Sequence, residues 1–119
     1  MNNIEVWNTK EKGVFKFVIY LDGKHFVGVC LTLNIIEESK NPHQLLNHLI
    51  EAAFGHLEVV RKENLDDALL NRHAPKEYWE KYYSVSKDKM DKFLKKIGEI
   101  LGKERKMPLP MKEELAYTK

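Results

Sequence analysis

A chain of 119 residues and 14.0 kDa fits one domain, long enough to bury a core without metals or cross-links to hold it. Its 43% hydrophobic and 32% charged residues exclude a disordered or fibrous class, and a net charge of only +2 argues against a densely basic nucleic-acid coat. One cysteine, Cys30, excludes an internal disulfide. No run approaches the roughly 20 apolar residues of a membrane span, and Met1-Asn2-Asn3-Ile4-Glu5 has neither the basic end nor the apolar centre of a signal peptide. The expected location is therefore a reducing cytoplasm. Charge is unevenly spread: residues 86–119 hold ten Lys/Arg and six Asp/Glu, a balance of +4, which leaves −2 for 1–85.

Ile4-Glu5-Val6-Trp7 alternates as a short edge strand would, before the turn-rich Asn8–Gly13. Val14 to Leu21 is β-branched and aromatic, and Asp22-Gly23 after it is a strong hairpin signal. Phe15, Phe17, Ile19 and Leu21 share one face of that strand; Val14, Lys16, Val18 and Tyr20 share the other. In the return strand Val27, Val29, Leu31 and Leu33 oppose Phe26, Gly28, Cys30 and Thr32. One side of the hairpin should pack on a helix and the other should be half-covered. Gly28, inside a strand, predicts a bulge or a close backbone approach.

After Ile36 the chain turns polar through Glu37-Glu38-Ser39-Lys40. Asn41-Pro42 then gives a capping amide and a proline at the first helical position. Leu45, Leu46, Leu49, Ala53, Leu57 and Val60 recur at three- and four-residue spacing, with Ile50 and Phe54 widening the stripe. The spacing predicts one long helix to about Arg61-Lys62. Leu65, Leu69 and Leu70 allow a helical turn within polar 63–75, and Lys76–Tyr83 predicts a short helix after Pro75. Met90, Phe93, Leu94, Ile97, Ile100 and Leu101 form the apolar face of a C-terminal amphipathic helix, with Gly102 as its stop. Pro108 and Pro110 break regularity, and the end is expected to be a mobile tail.

The series Val27-Gly28-Val29-Cys30-Leu31-Thr32-Leu33-Asn34-Ile35-Ile36, a polar link, and Asn41-Pro42 opening a helix resembles the HicB-like domain. Ala74-Pro75-Lys76-Glu77-Tyr78-Trp79, soon after the helix, is similar to the short segment that closes many stand-alone members. That domain belongs to the antitoxin half of bacterial and archaeal HicA–HicB toxin–antitoxin systems. The resemblance covers roughly residues 14–83 and is carried by the order and spacing of its motifs. Ser39 stands where the family commonly has glycine, Asn41 where it has threonine, and His43-Gln44 where it has acids. Residues 86–119 read as one amphipathic helix, too little for the helix-turn-helix of transcriptional members and without the strand expected of a ribbon-helix-helix. The resemblance implies an α+β, partial ribonuclease-H-like domain over 1–85. It would have an antiparallel sheet of about three strands, one long helix packed on it, and the C-terminal amphipathic helix and tail over 86–119. It further implies a non-catalytic protein-binding module, a homodimer, and an antitoxin masking a small HicA-like ribonuclease toxin.

Residue chemistry bears on the same question. His25, His43, His48, His56 and His73 include no helical i, i+4 pair; His48 and His56 lie about 12 Å apart on a helix, too far for one ion. No metal or other cofactor is expected. Cys30 reads as a small buried hydrophobe rather than a nucleophile. The strands Phe15–Leu21 and Phe26–Leu33 carry no acid, whereas two-metal nuclease chemistry needs carboxylates converging on one point. Glu37-Glu38, Asp66-Asp67 and Glu113-Glu114 are the adjacent pairs, and an enzyme is not expected. Tyr78, Trp79, Tyr82 and Tyr83 read first as packing and second as a partner-binding surface. The C-terminal helix adds Lys92, Lys95 and Lys96 to the candidate contact residues. A nucleic-acid-binding regulator using that basic helix is the alternative function.

Overall fold

The computed structural model describes residues 7–84 and 111–118, and they form an α+β unit. Strands β1 (Lys12–Asp22), β2 (His25–Cys30) and β3 (Ile35–Ser39) precede helix α1 (Pro42–Lys62). A 3₁₀ turn (Asp67–Leu70), helix α2 (Lys76–Ser84) and strand β4 (Met111–Thr118) complete the order. The sheet runs β3-β2-β1-β4 and is antiparallel throughout.

The hairpin closes with Asp22 opposite His25, leaving Gly23 and Lys24 at the tip. Gly23 has φ of 65°, a value that a side chain would resist and glycine takes freely. This tip fixes the register: Phe17 faces Cys30, Val18 faces Val29 and Ile19 faces Gly28. Because side chains alternate, Phe15, Phe17 and Ile19 join Cys30 on one side, and Val18 joins Val27 and Val29 on the other. β2 is shorter than the apolar run suggests. Asn34 at φ 55° turns the chain after Leu33, and Ile35 starts the next strand back beside Cys30.

α1 begins as its sequence predicts. The Asn41 side chain accepts from the amides of His43 and Gln44 at 3.0 and 3.1 Å, with Pro42 in the first turn; such a cap stabilises by about 1 kcal/mol. Leu45, Leu49, Ala53, Leu57 and Val60 are its buried stripe, packed on Phe15, Phe17, Ile19 and Cys30. Gly28 allows the close approach: a Cβ there would stand 2.6 Å from Leu49 Cδ1 and 2.8 Å from Leu45 Cγ.

The strand count is four rather than about three. The fourth strand comes from Met111–Thr118, within the stretch expected as a tail. It pairs with β1 from Lys12↔Thr118 to Ile19↔Met111, turning Leu115 and Tyr117 toward Phe15 and the α1 side. Three of its eight residues, Lys112, Glu113 and Glu114, are consecutive charges, and what makes it a strand is the otherwise open edge of β1, a partner about a hundred residues earlier in the chain. The expected C-terminal helix lies outside the described residues, as does all but Trp7 of the edge strand expected over Ile4–Trp7; Trp7 is exposed and in no strand.

Candidate functional site

The sheet face away from α1 is built differently. Its floor is Val18, Val27, Val29 and Leu31, all buried, and its cover is the segment from Ala74 through α2. The Ala74 amide donates to the Leu31 carbonyl at 2.8 Å, which fixes where the segment lands. Pro75 then precedes the helix, and three- to four-residue spacing brings its rings together. Trp79 meets Tyr82 edge-on and stacks beside Tyr83, each at 6.0 Å between centroids; Tyr82 and Tyr83 are 5.3 Å apart. His73 lies 5.3 Å from Trp79 on its other flank.

Of the four rings expected at a contact surface, the structure divides the roles. Tyr82 is 1% exposed and anchors the helix, donating its hydroxyl proton to Glu114 of β4. Lys112 and Lys16 stand over its ring at 4.6 and 5.6 Å. Tyr78 and Trp79 are half-buried, while Tyr83 is 37% exposed. Lys81 lies 5.1 Å over the ring of Tyr20, whose own hydroxyl pKa is raised, chiefly by burial and then by nearby Tyr78 and acidic groups. Tyr83 is thus the most exposed of the four rings, with Trp79 stacked beside it and His73 beside Trp79. Lys92, Lys95 and Lys96 lie outside the described residues.

The paired acids occupy separate places. Glu37 and Glu38 are on β3, where Glu37 pairs across from Gly28 and Glu38 from Val27. Asp66 caps the 3₁₀ turn through the Ala68 amide. Asp67 accepts from the Lys10 amide and from Lys10 Nζ at 2.8 Å, and the Lys10 hydrogen bonds hold its carboxyl below the usual carboxylate range. Glu114 receives Tyr82. Among the described residues no three His, Cys, Asp or Glu gather as ion ligands. His56 is bonded to the Leu69 carbonyl through Nε2 at 2.8 Å. Cys30 is fully buried, and burial pushes its thiol pKa up to about 11.

One polar group escaped the sequence reading. Asn8, buried at 0% exposure, accepts from the Val14 amide and donates through Nδ2 to the Leu70 carbonyl. Asn71 bonds both its amide and its carbonyl. Arg61 Nε donates to the Lys10 carbonyl at 2.7 Å while its guanidinium lies over the Tyr117 ring. The Tyr117 hydroxyl donates to the Thr9 carbonyl, and burial pushes its pKa up to about 12. This network fastens residues 8–12 to the 3₁₀ turn and to β4. A lone asparagine in a turn-rich stretch gives no periodic signal, so nothing in the sequence marked it.

No family model, curated protein or solved structure matches the chain. No helix among the described residues is long and apolar enough to cross a membrane.

Proposed function

We propose that the chain is a non-catalytic protein-binding module of HicB-like build, a homodimer that acts as an antitoxin by masking a small HicA-like ribonuclease. The observation that carries this reading is the placement of the Ala74–Tyr83 segment. Three antiparallel strands come first, a capped helix packs on one face of them, and the aromatic segment that follows closes the opposite face. That is the element order in which residues 14–83 resemble the family. The arrangement leaves Trp79 and Tyr83 side by side near the surface, and aromatic anchors of this kind dominate protein interfaces.

The acids support the same reading. Asp66 caps, Asp67 holds Lys10 and Glu114 takes the Tyr82 hydroxyl, so these carboxylates serve to fasten elements together. Hydrolysis with two metals would need them converging on one point.

The test is co-purification. A tagged full-length chain, expressed in its native host, should retain a small basic protein encoded beside it, and should suppress that protein's ribonuclease activity in a purified mixture. A retained complex lost on Trp79→Ala and Tyr83→Ala would place the contact on α2. Failure to retain or inhibit the neighbouring product would overturn the antitoxin reading. Light scattering of the purified chain tests the homodimer: a monomer mass at micromolar concentration rejects it.

A further inference from the structure

We propose that the outer edge of β3 is a docking site for an extended peptide segment bearing basic residues, which joins the sheet as an added strand. The proposal rests on the protein-binding reading and gives it a place and a partner chemistry. Among the described residues the sheet has two unpaired edges, those of β3 and β4. An open edge offers backbone donors and acceptors to any strand of suitable side chains, so the side chains decide which edge is used and by what.

The two edges differ. β4 carries charges of both signs in Lys112, Glu113 and Glu114, and its Tyr117 is buried and its Leu115 half-buried against the α1 side. β3 instead presents Ile36, 42% exposed, next to Val29 on the face away from α1. Glu37 and Glu38 follow it, and neither makes an ion pair among the described residues. An exposed isoleucine followed by two carboxylates, unpaired among the described residues, on such an edge is selective. A strand added there places one residue beside Ile36 and others beside Glu37 and Glu38, on alternating faces. Apolar at the first and Lys or Arg at the others satisfies all three positions.

The same acids bar the simplest competitor. Pairing all five residues of β3 with a second copy of β3 sets Glu37 opposite Glu37 and Glu38 opposite Ile36, and like charges directly opposed destabilise a ladder. The carboxylates also repel the phosphates of nucleic acid. Acids that protect an edge from its own kind thus become the recognition element for a basic strand.

Two nine-residue fluorescent peptides, one repeating Val-Lys-Lys and one repeating Val-Glu-Glu, test this with the full chain by anisotropy. The Lys peptide should bind at least tenfold tighter, and hydrogen exchange should slow at residues 35–39 on its addition. Replacing its central Val by Pro, which removes a backbone donor, should weaken binding severalfold. Glu37→Lys with Glu38→Lys should reverse the preference toward the Glu peptide. Glu38→Lys alone, at an exposed position, should abolish it and guards against misfolding of the double variant. Equal binding of the two peptides, an unchanged preference in the Glu38→Lys variant, or protection confined to other residues would overturn the proposal. If the variant loses the Lys peptide yet keeps the partner captured from the native host, the β3 edge is not where that partner docks, and the module reading stands without it.

Discussion

The two faces of the sheet are closed by opposite means. Under α1 the seal is aliphatic interdigitation: a 21-residue helix sinks Leu45 and Leu49 into the space that Gly28 leaves. Under α2 the seal is nine residues, a helix too short to persist by itself in water. What holds it includes the buried ring of Tyr82, the hydrogen bond from that ring to Glu114, the cation–ring contact of Lys81 with Tyr20 and the backbone tie at Ala74. The difference teaches where stability and where adaptability reside. The α1 face should open only with global unfolding, and the α2 face should open first, locally. A face that can loosen while the fold persists is the better place to receive a partner.

The largest expected effect breaks the α1 side. Leu49 is fully buried among Phe15, Ile19 and Leu57, so Leu49→Ala should cost about 3 kcal/mol, read as a shifted chemical-denaturation midpoint. A cost below about 1 kcal/mol would mean that this face is not the main core. Next comes Gly28→Val. Its branched side chain has to displace Leu45 and Leu49, and overpacking of this kind costs about 2 kcal/mol. A neutral result would show that α1 can lift from the sheet, and the contrast between the faces would fail.

Smaller and local is Tyr82→Phe. It keeps the buried ring and removes the hydroxyl that Glu114 accepts, at a cost of about 1.5 kcal/mol for a bond to a charged group. Amide exchange should quicken over residues 74–84 and stay unchanged over 45–60. Uniform quickening would show that both faces open together.

The same contrast sets what the sequence revealed. On the α1 side, spacing marked Leu45, Leu49, Ala53, Leu57 and Val60, residue type marked the cap at Asn41, and a glycine inside a strand marked Gly28 as a bulge or a close approach, of which the structure shows the close approach. Each is a local rule acting over fewer than five residues, and local rules leave a periodic trace. On the α2 side the cluster of rings was visible, but the choice of Tyr82 as anchor was not. It depends on Glu114 and Lys112, which β4 brings from a distant part of the chain. β4 itself was illegible for the same reason: Lys112-Glu113-Glu114 has no apolar alternation, and its strand form comes from pairing with β1. The family reading drew on the part that was legible.

Cys30 gives the finest test, since it sits at 0% exposure on the α1 side. Alkylation needs a thiolate that reagent can reach. Burial and a thiol pKa pushed up to about 11 deny both until that face opens, so the native alkylation rate reports the opening. Leu49→Ala should accelerate it roughly 100-fold, the factor that about 3 kcal/mol implies. Tyr82→Phe should leave it unchanged if α2 opens alone. The pH dependence follows with a definite sign. The unfolded thiol ionises near pH 8.5 and the folded one only near 11, so the unfolded state binds fewer protons in that window. Stability therefore falls as pH rises from about 8.5 toward 11, and Cys30→Ala should flatten that part of the slope. A Tyr82→Phe variant that alkylates as fast as Leu49→Ala would mean that the α2 anchor guards the whole core, and the two faces would then be one cooperative unit.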